Sequence, residues 1–259
     1  MRILAFDSSG RIGSAALLSE RGLEAELTLQ VKRTHSEHLV PAVVQVLQTA
    51  GWRAADLDAL AVTTGPGSFT GLRIGLGTAK AMAWALQKPL AAVGTLEAWA
   101  FGFLPVDGVV CPLLAARRGE VYAGVFCPRR DPEPGPAGPW AWPEQVGPLF
   151  SGPVDQFLHV LSQQRQSVLF CGDGLDYYRP ALLQWAERFP QPVWLAPAAQ
   201  NCLRAAWVGA LGLKRLQTGE ASDPRTLTAV YLRPSEAEVK AGLGAQTEGG
   251  EAGPLRCGP

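Results

Sequence analysis

Residues 2–8 hold an apolar run, Ile3 to Phe6, too short for a helix and closed by the polar residues Asp7, Ser8 and Ser9. That pattern predicts a buried strand followed by a turn at Gly10-Arg11. A second strand is expected over residues 13–19, a turn at Arg21-Gly22, and a third strand over residues 23–31, where apolar and polar positions alternate. Together these make an antiparallel meander. Residues 36–50 carry apolar side chains at helical spacing and stop at Gly51, predicting a helix. Pro41 lies too deep for the first turn of a helix starting at Ser36, so that helix either begins nearer Leu39 or kinks there. Residues 57–64 read as a strand, followed by a glycine-rich turn and a helix from Phe69 or Thr70 to Leu86. Residues 89–93 read as a strand, and residues 95–103 as a helix capped by Thr95.

The second half is less regular. Residues 109–115 and 120–127 predict a hairpin with Arg117-Arg118-Gly119 at its turn, and residues 131–148 are rich in Pro and Gly, an irregular excursion. A helix over 153–162, a strand over 167–171, a helix over 177–189, a strand over 193–195 and a helix over 198–216 follow, then a short segment at 227–233. Past Pro234 large apolar residues are scarce, so residues 234–259 are expected to form a disordered tail. Meander, helix, strand, helix, strand, helix is the element order of one lobe of an actin-like fold, and the second half resembles a degenerate copy. The expected class is therefore α/β, two-lobed and actin-like (sugar kinase, Hsp70, actin), with mixed sheets flanked by helices. Residues 1–105 form the first lobe and 106–233 the second, with helix 198–216 packing back on the first.

Composition narrows the function. The chain has 259 residues, and Lys plus Arg equals Asp plus Glu at 23 each. A protein that holds a polynucleotide alone usually carries a basic excess, so any RNA role is expected to be shared with a partner. The five cysteines Cys111, Cys127, Cys171, Cys202 and Cys257 include no Cys-x-x-Cys pair, which suits reduced thiols. With no signal-peptide pattern and no run approaching a membrane span, a cytoplasmic location is expected.

The most distinctive stretch is Gly65-Pro66-Gly67-Ser68-Phe69-Thr70-Gly71-Leu72-Arg73-Ile74-Gly75. Glycines between a strand and a helix whose N-cap is Ser68 allow positive φ and close backbone approach, and free N–H groups at a helix start attract anions. A phosphate site and a tightly packed turn both fit. No Gly-Lys-Ser/Thr closes a Walker A loop, and the spacing is wrong for a dinucleotide fingerprint. Asp7, Ser8 and Ser9 occupy a position where actin-like ATPases hold metal and phosphate, but an Asp in a tight turn is more often a turn former.

From Gly71 to Leu86 the only charges are Arg73 and Lys80, and the preceding helix is equally poor in charge. Two adjacent helices of this kind suggest a protein–protein surface, here assigned to Leu39, Ala42, Val43, Val46, Leu72, Ile74, Gly75, Leu76 and Ala79. His35 and His38 flank Glu37, but their spacing of three is not the i, i+4 of helical zinc sites and no third ligand is evident. Thr34-x-x-Glu37 fits a capping box instead. His159 stands alone, and Arg117, Arg118 and Glu120 suit a solvated hairpin tip.

The block at 65–75, His35-Ser36-Glu37, Pro41, the hairpin Arg117-Arg118-Gly119-Glu120-Val121-Tyr122 and Tyr231-Leu232-Arg233 together resemble the TsaB (YeaZ) family, in order and spacing, from Met1 to about Pro234. The resemblance implies a non-catalytic subunit supporting threonylcarbamoyl transfer to the adenosine beside the tRNA anticodon. It implies as partners the catalytic paralogue TsaD, the ATPase TsaE and a second copy of the chain, with tRNA met only indirectly. It implies no catalytic or metal-binding residue and no required cofactor, with any nucleotide held at the interface of the complex. Ala115 stands where the family usually has Asp, which argues against chemistry at that hairpin. The paralogue's metal-binding histidine pair is absent.

Two other readings compete. An active actin-like kinase or ATPase is suggested by Asp7-Ser8-Ser9-Gly10 and the glycine turn. A metalloprotease would place zinc at His35 and His38.

Overall fold

The computed structural model describes residues 1–30, 35–130 and 141–233. Strands β1 (Ile3–Asp7), β2 (Ile12–Ser19) and β3 (Gly22–Gln30) form the expected antiparallel meander, with Ile3 opposite Leu18 and Asp7 opposite Ser14. Helix α1 (His35–Ala50) leads to β4 (Ala59–Gly65), α2 (Phe69–Leu86), β5 (Leu90–Gly94) and α3 (Thr95–Phe101). Strand β4 joins β1 in parallel and β5 joins β4 in parallel, giving the order β3-β2-β1-β4-β5. Strands β1 and β4 are central and buried along their whole length, which is why they read as unbroken apolar runs.

Alternate side chains of these strands serve opposite faces. Leu4, Phe6, Leu60 and Val62 pack in one cluster with Leu39, Val43 and Val46 of α1 and Leu76 and Ala79 of α2. The opposite face takes α6 (Ala205–Gln217). A side chain at Gly212 would sit 2.6 Å from Ala61 Cβ and 3.3 Å from Ile3 Cδ1, so α6 lies directly on the sheet there. Its start is held by Glu26 of β3, which accepts from the Ala206 N–H at 3.0 Å and pairs with Arg204. Near its end Arg215 pairs with Glu97 at 2.5 Å.

The second sheet contains β6 (Val109–Ala115), β7 (Glu120–Ala123), β8 (Phe126–Arg130), β9 (Ala141–Gln145), β10 (Phe150–Pro153), β11 (Val168–Cys171) and β12 (Val193–Leu195). Its main order is β10-β7-β6-β11-β12, with β8 pairing β6 and β9. Helices α4 (Val154–Leu161) and α5 (Leu175–Ala186) belong to it. The strand order and mixed pairing of the first sheet are those of an actin-like lobe, and the fold is mixed α/β with two sheets.

The chain forms two compact units: Met1–Ala98 with Leu203–Tyr231, and Trp99–Cys202 with the described residues from Leu232. Residues 99–105 thus fall in the second unit and α6 in the first.

Several elements differ from the sequence expectation. The strand expected over 120–127 breaks at Gly124-Val125 into β7 and β8. A side chain at Gly124 would sit 2.8 Å from the Phe126 ring and 3.0 Å from Leu149, a crowding that only glycine relieves. The excursion expected over 131–148 contains β9, and β10 had no sequence signal. The helix expected from 198 starts at Ala205, because Asn201 uses its side-chain amide on the Gly172 backbone, accepting at 2.7 Å and donating at 2.9 Å. Helix α1 begins at His35 with Pro41 inside it. The Thr34-x-x-Glu37 capping box, residues 131–140 and the tail at 234–259 lie outside the described residues.

Candidate functional site

The Asp7-Ser8-Ser9 turn and the glycine block, distant in sequence, pack into one unit. Asp7 ends β1 fully buried, and its Oδ1 accepts from Thr63 Oγ1 at 2.6 Å and from the Ser9 N–H at 3.0 Å. The Ser8 hydroxyl donates to the Gly71 carbonyl at 2.8 Å. The Ser68 N–H donates to the Ser9 carbonyl at 2.7 Å. Side chains at Gly67, Gly71 and Gly75 would collide with the Ser9 carbonyl, the Ser8 carbonyl and the Ser8 hydroxyl in turn. These glycines exist so that the loop and first turns of α2 can lie against the turn after β1.

Ser68 caps α2 as expected, accepting from the Gly71 N–H at 3.2 Å. The Leu72 N–H donates to the Ser68 carbonyl at 2.8 Å. The N–H groups of Ser68, Gly71 and Leu72 are thus engaged within the chain rather than presented to an anion. Pro66 is buried, and Ser68, Phe69 and Thr70 are exposed. Asp7, Ser8 and Ser9, which the sequence offers as a turn or as nucleotide contacts, are buried, Asp7 against Thr63 of β4 and Ser8 against α2, and the glycine block serves that packing.

Residues 227–231 run past α2 and the same loop. The Val230 N–H donates to the Thr64 carbonyl at 2.7 Å, and Lys80 Nζ donates to the Leu227 carbonyl at 3.0 Å. Gly65 has φ of 118°, and a side chain there would lie 2.6 Å from the Val230 carbonyl oxygen. Arg73 stacks over the Phe69 ring at 3.8 Å, its Nε donates to Tyr231 Oη at 3.4 Å, and the Phe69 and Tyr231 rings are 5.0 Å apart.

Helices α1 and α2 pack on one another and on the sheet. Of the nine residues assigned to a partner surface, Leu39, Ala42, Val43, Val46, Leu72, Leu76 and Ala79 are buried in the chain's own core. Gly75 lies against Ser8, and Ile74 packs on the core cluster. These residues support the helices and are not their outer face, so the assignment is corrected. The exposed stripe of α1 carries Val40 (50 % exposed), Pro41 and Val44 (45 %). That of α2 carries Phe69, Thr70, Arg73, Gly77, Ala81, Trp84 (70 % exposed) and Ala85. The residues named from the sequence are thus the inward ones of each helix, and the outward ones are others. The phase of the buried residues, Leu39, Ala42, Val43 and Val46, was the available signal, since it leaves Val40 and Val44 outward.

In the second unit Arg118 and Gly119 are exposed at the tip, while the Glu120 carboxylate is bound by Arg233, whose Nη2 donates at 2.9 Å. Tyr178 Oη donates to the Glu120 carbonyl at 3.1 Å. Burial raises the Cys111 and Cys171 thiol pKa values, with Cys111 adding to the shift at Cys171. Among the described residues no three His, Cys, Asp or Glu side chains are grouped to hold a metal, and no helix is long and apolar enough to cross a membrane. The His35 side chain lies outside the described residues.

The family model for TsaD, tRNA N6-adenosine threonylcarbamoyltransferase, matches residues 28–131, which include α1 and α2. A threonylcarbamoyltransferase of Erythrobacter litoralis is 51 % identical over 65 residues, covering 25 % of this chain and 19 % of its own. A solved structure of YeaZ from Pseudomonas aeruginosa matches with a TM-score of 0.69 at 27 % identity, over 89 % of this chain and 99 % of that one. The tRNA threonylcarbamoyladenosine biosynthesis protein TsaB of Bacillus subtilis is 33 % identical over 240 residues, 93 % of this chain and 97 % of its own. On that match, which spans nearly the whole of both proteins, the chain belongs to the TsaB (YeaZ) family.

Proposed function

We propose that this chain is a partner subunit in the formation of threonylcarbamoyladenosine on tRNA. It docks the catalytic threonylcarbamoyltransferase TsaD through the exposed stripes of α1 and α2 and supplies no catalytic group. The observation that carries this reading is the exposure of Val40 and Val44 on α1 and, above all, of Trp84 on α2, the most exposed large apolar side chain among the described residues. Exposed apolar side chains gathered on two adjacent helices mark an interaction surface more often than a solvated one. The family's place in threonylcarbamoyladenosine biosynthesis supports the identity of the partner. The inward packing of Asp7, Ser8 and Ser9 supports a subunit that leaves the chemistry to another chain.

On this reading the same face also serves a second copy of the chain, so homodimer and heterodimer compete. The ATPase TsaE joins the heterodimer, tRNA is met through the assembly, and any nucleotide is shared at its interface. The test is reconstituted modification of tRNA by the transferase of the same organism, with and without this chain. Modification that requires this chain supports the reading, and an equal rate without it removes it.

A further inference from the structure

The exposed stripe of α2 is nearly uncharged, and its cation is unusually well held. The helix carries only Arg73 and Lys80. Lys80 is half-buried and bound to the Leu227 carbonyl at 3.0 Å. Arg73 is exposed, yet it lies on the Phe69 ring at 3.8 Å with its Nε bound to Tyr231 Oη at 3.4 Å. Among the described residues its terminal nitrogens take no acceptor, so the edge of the guanidinium that binds carboxylates two-handed is unused.

Resting on the docking proposed above, a consequence follows for Arg73. When this face is covered, Arg73 is covered with it. An arginine removed from water without acceptors is strongly unfavourable, and a carboxylate is the acceptor that meets the unused edge of its guanidinium two-handed. We infer that Arg73 is the specificity anchor of the face and pairs with a carboxylate on the transferase, held ready by Phe69 and Tyr231. Pre-ordering by the two rings reduces the side-chain freedom lost on pairing. A nucleic-acid phosphate is the less suitable anion, because the stripe around Arg73 offers Gly77, Ala81 and Trp84 rather than further cations.

The test measures binding of the threonylcarbamoyltransferase from the same organism to wild type and to Arg73→Gln, Arg73→Glu and Tyr231→Phe variants over a range of salt, with Trp84→Glu as a marker of the face. Arg73→Gln is expected to weaken binding about 10- to 100-fold and flatten its salt dependence, Arg73→Glu to abolish it, and Tyr231→Phe to weaken it a few-fold. The isolated Arg73 variants should melt within a degree or two of wild type, because the side chain is exposed. If Trp84→Glu abolishes binding while both Arg73 variants bind within about twofold of wild type, the face stands and the pairing is overturned. Loss of tRNA retention by Arg73→Glu with the protein assembly intact would assign the cation to phosphate and also overturn it. Failure of wild type to bind removes the docking reading and this inference together.

Discussion

The Ser8 hydroxyl donates to the Gly71 carbonyl at 2.8 Å, joining the turn after β1 to the first turn of α2 across 63 residues of sequence. Around this bond the glycine block has a structural purpose. Gly71 and Gly75 place α2 so close to Ser8 that a methyl group at either position has no room. Gly71→Ala and Gly75→Ala are each expected to lower stability by about 1–3 kcal/mol, through overpacking against fixed backbone or a buried hydroxyl. Urea unfolding of the two variants checks this. Wild-type midpoints would mean the contact yields freely.

Gly77 should behave in the opposite way. A side chain there meets nothing within 4 Å, and the residue lies on the exposed stripe of α2. Gly77→Ala is expected to stabilise the isolated chain by about 1 kcal/mol through helix propensity alone. If the partner backbone approaches closely at this point, the same substitution weakens assembly. Thermal melting and a binding titration on one preparation separate the two effects.

Glu26 ties the meander to the start of α6 through the Ala206 N–H and Arg204. Glu26→Ala leaves both groups without their acceptor and is expected to cost about 1–3 kcal/mol. Glu26→Gln should cost less, since it retains an oxygen for the Ala206 N–H. Equal losses in the two variants would show that charge, not the helix-start hydrogen bond, carries the effect.

Cys111 and Cys171 are buried free thiols whose pKa is raised by desolvation, so they stay protonated in the folded chain. Neither is expected to react with a thiol reagent at pH 8 until denaturant is added. The sign for stability follows from linkage. The folded thiols keep their protons where unfolded thiols, with a pKa of about 8.5, lose them. This contribution is present below about pH 8.5 and declines as pH rises toward the folded values. Peptide mapping after labelling in native and denaturing buffer decides the reactivity. Native-state labelling at either position would contradict the burial.

The meander, α1, β4 and α2 were legible within a residue or two because β1 and β4, buried on both faces, leave unbroken apolar runs, β3 alternates, and the loops between them carry turn residues. The break at Gly124 was hidden because the residues on either side read as one apolar strand. The start of α6 was hidden because Asn201 is fixed by the backbone of Gly172, a contact remote in sequence. The candidate face was half legible. A helix short of charge all round announces that it is covered, but its composition alone does not say which residues its own sheet covers. Leu76 and Val44 look equivalent in sequence, yet Leu76 is 5 % exposed and Val44 is 45 %. A charge at Leu76 is therefore expected to unfold the lobe rather than to test an interface.

Binding of the threonylcarbamoyltransferase by the outer stripes of α1 and α2 is checked by calorimetric titration of that enzyme into wild type and into a Val44→Glu/Trp84→Glu variant. Both substituted side chains are exposed, so the variant should melt close to wild type and fail to bind detectably. A folded variant that binds the enzyme with wild-type affinity would contradict the claim.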